Sequence, residues 1–254
     1  MDKIAIVILT WNKLDILKKT IYLFKKYNPD IKDSQFIVVD NGSIDGTQNY
    51  LETTKYDIIL NKKNLGAQMG KYIGWNRAFE RGYDFILFLE DDHPCIRPVP
   101  IEDIINYLNK NIEVGIVRLD DKKCYRNHHI TSLPIKYHKK EILTKKYKIF
   151  KTSYHFTSHP SIFRTSTVPF LKSCVFPKYK PETEDIDITK LGFEEYKKIN
   201  PKKYLIAKKR CLYYWGKKEY EYMRLFFLKY QTSSQVIPYC FHYVVAERSE
   251  DWRN

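Results

Sequence analysis

Three clusters of side chains in the first hundred residues have the types and spacing to do chemistry. The first is Phe85-Ile86-Leu87-Phe88-Leu89-Glu90-Asp91-Asp92, an apolar run that ends in three consecutive acids. Adjacent carboxylates repel one another unless a cation or solvent screens them. Mg²⁺ and Mn²⁺ favour such oxygen ligands and keep water and substrate phosphate in their shell. A solvated acidic turn would have the same sequence. The second cluster is Val38-Val39-Asp40-Asn41-Gly42-Ser43-Ile44-Asp45-Gly46-Thr47. A carboxylate at a strand end, followed by a Gly-Ser turn, can accept from a ligand donor such as the N3–H of uracil or thymine. The same residues also suit an Asx-turn that caps the next helix. The third runs from Asn64 to Arg77, with glycines at 66, 70 and 74. These glycines bare one face of a helix, for a ligand or for close packing on a sheet. The helix N-terminus would attract phosphate.

The elements that must position these clusters follow from hydrophobic periodicity. Apolar β-branched runs predict buried strands over 3–9, 36–39, 57–60, 83–89 and 114–119. Between them, helical spacing predicts helices over 15–27, from Thr47 to about Thr53, 67–81 and 100–110. Strands alternating with helices imply an α/β sandwich with parallel pairing, whose ligands bind beyond the carboxyl ends of the strands. That edge would carry Thr10-Trp11-Asn12, Asp40-Asn41-Gly42-Ser43 and Glu90-Asp91-Asp92. After residue 120 the pattern is less regular. Strands are expected over 147–152, 161–164 and 204–207, and helices over 184–198 and 219–230.

The three motifs, in this order and spacing, resemble the family 2 inverting glycosyltransferases of GT-A fold. The resemblance covers about residues 3–120 clearly and 155–216 more loosely. It implies a Rossmann-like, mainly parallel central sheet flanked by helices. Residues 1–120 would be the nucleotide-sugar half, 121–216 the acceptor half of the same domain, and 217–254 a C-terminal helical extension. It implies that Asp40 reads a pyrimidine base, with Thr10, Asn12, Asn41, Gly42 and Ser43 around it. Asp91 and Asp92 would form the metal and ribose-phosphate motif, with Asp92 the direct ligand. Gly66 and Gly70 line the donor side, and Lys63, Lys71 and Arg77 are candidate partners for the diphosphate. Ser161-Ile162-Phe163-Arg164 resembles the turn before a short helix in the family. Glu182-Thr183-Glu184-Asp185-Ile186-Asp187 resembles its Glu-Asp motif, which implies Asp185, with Glu184 second, as catalytic base. Acids favoured at a helix N-terminus would read the same way.

One departure concerns the late His-Gly motif of many relatives. The corresponding stretch here is Tyr213-Tyr214-Trp215-Gly216. His155, His159 or His242 would have to substitute, or the metal would rest mainly on Asp92, diphosphate and water. The implied reaction is transfer of a sugar from a UDP-sugar or dTDP-sugar to an acceptor hydroxyl, with Mn²⁺ or Mg²⁺ as cofactor.

Charge frames the acceptor question. The net charge of +14 is uneven: residues 1–100 hold 14 basic and 13 acidic groups, and the remainder holds 30 against 17. The second part therefore suits an anionic partner, or reflects a lysine-rich composition. A glycan or glycoconjugate acceptor is the first reading. A hydroxylated base in DNA is the second, since phosphate contacts dominate such affinity, although no nucleic-acid-binding motif is present. An anionic membrane surface and a non-catalytic carbohydrate-binding or scaffold role complete the set. No apolar run is long enough to span a bilayer, and Ile4 to Leu9 is too short for a signal-peptide core. The cytoplasm, of a bacterium or a virus-infected cell, is the expected location. The five cysteines are scattered with no CxxC spacing, which argues against zinc and against a disulfide framework.

Overall fold

A computed structural model describes residues 3–119, 141–152, 160–169, 232–237 and 240. Its first half alternates strand and helix: β1 (Ile4–Thr10), α1 (Leu14–Tyr27), β2 (Phe36–Asp40), α2 (Thr47–Glu52), β3 (Asp57–Leu60), α3 (Ala67–Glu80), β4 (Phe85–Glu90), α4 (Ile101–Lys110) and β5 (Val114–Arg118). Then follow β6 (Glu141–Ile142), β7 (Lys148–Thr152), β8 (Ser161–Arg164) and β9 (Thr232–Ile237).

The strands form one sheet in the order β3-β2-β1-β4-β8-β5-β9-β7-β6. The block β3-β2-β1-β4 is parallel throughout. β8 runs antiparallel to both β4 and β5, β9 is parallel to β5, and the β6–β7 hairpin closes the far side against β9. This is the expected mixed α/β, GT-A architecture. The chain first winds outward from β1 to β3, then returns through α3 to lay β4 on the other side of β1. The reversal opens a crevice between the carboxyl ends of β1 and β4, where α/β sheets take their ligands.

Both faces of β2, β1 and β4 are buried, which is why these strands read as continuous apolar runs, and the edge strand β3 is half-buried. Ile4, Ile6 and Ile8 face Leu17, Ile21 and Phe24 of α1 and Ile104 and Leu108 of α4. Ala5, Val7 and Leu9 face Tyr72, Trp75 and Ala78 of α3. Trp75 sets its ring edge-on to Phe88 and Phe163, 5.4 Å from each. A single aromatic thus ties α3 to both the parallel β4 and the antiparallel β8.

The segment read as a helical extension, 217–254, contributes β9 to the interior of the sheet. Its sequence, Thr-Ser-Ser-Gln-Val-Ile, is mostly small and polar, so neither an apolar run nor strict alternation marks it. The two-residue β6 was also unexpected. The helices and strand anticipated over 184–198, 219–230 and 204–207 lie outside the described residues.

Candidate functional site

The register of the sheet sets the first three clusters side by side. Thr10 lies opposite Asp40, Asp40 opposite Leu60, and Leu9 opposite Glu90. One edge therefore carries Asp40 and the acidic turn.

Asp40 is fully buried. Its Oδ2 accepts from the backbone N–H of Gly42 (3.1 Å) and Ser43 (2.9 Å) and from Nε2 of Gln48 (2.6 Å). These three donors fix the carboxylate, and its other oxygen, Oδ1, is buried with no hydrogen-bond partner among the described residues. A buried acceptor left unmatched costs roughly 1–3 kcal/mol, so native structures seldom keep one without a use. The helix-capping role that the sequence also allowed for this motif falls to Asp45. Its carboxylate accepts from Leu14 N at the start of α1 (3.0 Å) and from Thr47 N at the start of α2 (3.1 Å). Asp45 stays below the ordinary carboxylate range: its slight burial is outweighed by the Thr47 hydroxyl and these N–H groups.

Asn12 and Ser43 join the two loops. Asn12 N donates to Ser43 Oγ and Ile44 N donates to Asn12 Oδ1, both at 2.8 Å. The exchange holds Asn12 at a φ of 51°, a conformation Asn tolerates better than most residues. Asn41 turns the other way. Its amide bonds Asn64 Oδ1 (2.8 Å) and accepts from Asn61 Nδ2 and Leu65 N, both at 3.1 Å. It therefore folds the 61–66 loop against the end of β2. Gly42, at a φ of +81°, lies under this loop, and a Cβ there would meet the Lys63 carbonyl carbon at 2.5 Å. Lys63 thus serves the site through its backbone, with its side chain exposed.

The glycines of α3 divide by role. A Cβ on Gly70 would meet Leu9 Cδ1 at 2.6 Å, and one on Gly74 would meet Val7 Cγ1 at 2.6 Å. Both are packing glycines that seat the helix on the sheet. Gly66 precedes the first turn in a left-handed conformation with open space around its Cα. The helix runs down the sheet from the functional edge: Gly70 sits against Leu9 and Asn41, and Gly74 against Val7 and Val39. Arg77 lies a turn further from that edge, beside a cleft of about 290 Å³ with Ile59, Tyr72 and Glu80. The structure does not bring it to the acidic turn. Lys71 does reach it. Its ammonium, 4% exposed, is 3.0 Å from Glu90 Oε1 and lies over the Phe88 ring.

The three acids at the end of β4 have three different settings. Asp91 points inward, 5% exposed. Its Oδ2 accepts from Thr10 Oγ1 (2.8 Å) and Trp11 N (3.3 Å), and Oδ1 lies 3.2 Å from Lys13 Nζ. Burial, helped by the Asp92 charge, outweighs Lys13 and Thr10 and pushes its carboxyl up to about 6. Asp92 spans two partners: Lys13 Nζ is 2.9 Å from Oδ2, and His93 Nδ1 is 2.9 Å from Oδ1. Burial works against its charge, but the His93 hydrogen bond and the two cationic neighbours win and bring it down to about 2. Lys13 is correspondingly raised: partial burial opposes its charge, and Asp91 and Asp92 more than offset that. Glu90 closes the group, with Oε2 3.9 Å from His93 Nδ1.

Glu90, Asp92 and His93 each offer a ligand atom, and those atoms lie within 4.8 Å of one another. Two carboxylates and an imidazole at that spacing fit a divalent cation with open positions. Of the two anticipated metal residues, Asp92 is in this group, and Asp91 is engaged with the β1 loop. A histidine also stands inside the acidic motif itself, at His93, and the candidates His155, His159 and His242 lie outside the described residues. Gln48 and Lys13 escaped the sequence reading, although each is adjacent to or within a motif. A further unanticipated group is Arg118, buried at the end of β5 and paired in register with Ser161. Asp185, Glu184 and most of the basic stretches 122–151 and 196–218 lie outside the described residues. No described helix is long and apolar enough to cross a membrane.

A parallel β3-β2-β1-β4 block with a buried carboxylate and an acidic turn at its carboxyl edge is an arrangement of the GT-A fold. The family model for Glycosyl transferase family 2 matches residues 5–166, more than half of the chain. The chain belongs to that family. Two complexes of one solved protein agree on the fold. S. aureus TarS residues 1–349 in complex with UDP-GlcNAc superposes with a TM-score of 0.52 at 13% identity, over 97% of this chain and 59% of that one. The same protein in complex with UDP gives 0.50 at 14% identity, over 96% and 61%. A mannosyltransferase from Pyrobaculum calidifontis in complex with GDP-Man and Mn²⁺ gives 0.45 at 13% identity, over 76% and 52%. The chain thus spans about three fifths or less of the structures it resembles. No curated protein sequence matches it.

Proposed function

We propose that this chain transfers a sugar, with inversion, from a UDP-sugar to an acceptor hydroxyl on a glycan or glycoconjugate. dTDP-sugars share the same base edge and are the second donor class. The observation that carries the donor reading is the buried, unmatched Asp40 Oδ1. Three donors hold its sister oxygen, so Oδ1 is set to accept the N3–H of a uracil or thymine ring. Cytosine has no N–H at that position and would be refused.

Thr10 and Asn12 border this pocket, and Asn41 keeps the 61–66 loop folded beside it. The diphosphate would lie toward the crevice between β1 and β4, near Lys13 and Lys71. Glu90, Asp92 and His93 would hold a divalent cation, which when bound neutralises charge on the leaving diphosphate. Inversion requires a base on the acceptor hydroxyl, opposite the leaving group. Asp185, with Glu184 second, is proposed for that role from the family resemblance.

Calorimetry with UDP, dTDP and CDP tests the reading. Wild type is expected to bind UDP and to discriminate against CDP by tenfold or more, on the order of 1.4 kcal/mol. Asp40→Asn, which turns an acceptor into an amide, is expected to abolish that discrimination. No binding of UDP or dTDP, with or without Mn²⁺, would refute the proposal.

A further inference from the structure

We propose that Lys13 makes the acidic turn a poor site for a divalent cation alone and a good one for a cation arriving with a diphosphate. The inference rests on the donor-site reading above. Lys13 is the last residue before α1, and its carbonyl accepts the Leu17 N–H at 2.9 Å, so the side chain departs from a fixed point. Its ammonium lies between two carboxylates, 3.2 Å from Asp91 Oδ1 and 2.9 Å from Asp92 Oδ2. That is the place where a cation bridging the two acids would sit. One oxygen of Asp92 is thereby taken, and only the side facing His93 and Glu90 is left for a metal.

Lys71 acts in the same sense on Glu90. Three carboxylates face two ammonium groups at the turn, so much of the acids' charge is already matched. A divalent cation gains little by entering such a group by itself, and it meets direct repulsion from Lys13. A diphosphate changes the balance, because it brings both negative charge and oxygen ligands. Cation and diphosphate then strengthen each other's binding, and by linkage they do so equally. Lys13 therefore has opposite effects on the two ligands: it weakens the bare metal and attracts the diphosphate.

The test uses Mn²⁺ alone, followed by electron paramagnetic resonance of the free ion, with wild type, Lys13→Met and Lys13→Arg. Lys13→Met is expected to bind Mn²⁺ about tenfold more tightly than wild type, and Lys13→Arg about as weakly as wild type. The same Met variant is expected to bind UDP several-fold more weakly in EDTA. Tighter metal binding is a result that mere structural damage does not produce. Lys13→Gln serves in place of Met if thermal melts show the Met variant unfolded. Equal or weaker Mn²⁺ binding by the uncharged variants overturns the proposal. Failure of wild type to bind UDP under any condition refutes the donor reading instead, and the metal titration still decides the role of Lys13.

Discussion

Gln48 Nε2 lies 2.6 Å from Asp40 Oδ2, eight residues back along the chain, and 3.3 Å from the carbonyl of Asn61. A side chain of α2 therefore holds the Asp40 carboxylate and the end of β3 at once. Gln48→Leu leaves Asp40 with its two backbone donors and more freedom to turn. UDP affinity is expected to fall about tenfold, with a stability loss of about 1 kcal/mol. Calorimetry and urea melts separate the two effects.

Gly42 and Gly66 share a left-handed backbone, but only Gly42 has backbone atoms in the way of a Cβ. Gly66→Ala, at φ 83° and ψ 155°, is expected to cost roughly 1–3 kcal/mol from conformation alone. Gly42→Ala adds collision with Lys63 and Asn64 backbone and is expected to cost on the order of 3 kcal/mol or more. The difference between the two melts measures how tightly the 61–66 loop is pressed onto β2.

Gly74→Ala tests the seating of α3. Its Cβ would meet Val7 Cγ1 at 2.6 Å and Val39 Cγ2 at 2.9 Å, inside a fully buried layer. Overpacking of this kind typically costs 1–3 kcal/mol, so roughly 2 kcal/mol is expected. Val7→Ala in the same chain should return part of that loss, and the double-mutant cycle reads the coupling.

Asp91 gives the acidic turn a pH signature. Its native carboxyl sits at about 6, above the 3.8 expected of an unfolded chain. Between those values the folded form holds a proton that the unfolded form has released, so this contribution to stability is lost as pH rises through about 6. Asp92, held down to about 2, contributes in the opposite sense. Its share is present above about pH 4 and disappears as pH falls toward 2. Asp91→Asn is expected to remove a fall in stability on the order of 2 kcal/mol between pH 4.5 and 7. Urea unfolding at those two values, for both proteins, checks it.

Much of the first half of the fold was legible because β1, β2 and β4 are buried on both faces. Ile4 to Leu9 and Phe85 to Leu89 read as apolar runs because no position meets water. The parallel order and the functional edge follow from that alternation of strands and helices. What escaped detection depends on direction rather than residue type. Asp91 and Asp92 are chemically identical, and only the turn after Glu90 sends one toward Thr10 and the other toward His93. Lys63, Lys71 and Arg77 are all near the glycine-rich segment in sequence. α3 carries Arg77 away from the edge, and only Lys71 is delivered to Glu90. β9 had no apolar signature because it pairs through its backbone between β5 and β7, with a small, polar sequence.

That placement of β9 has a consequence for biosynthesis. Within the described sheet, β7 and β6 connect to β5 only through β9. The ribosome makes the hairpin some eighty residues before it makes the strand that anchors it. The β3-β2-β1-β4 block can assemble from local βαβ units while the chain is still emerging, whereas the hairpin must wait, with an open edge, for a partner of high sequence separation. A ribosome stalled before residue 232 would thus display a nearly finished parallel block joined to an undocked hairpin.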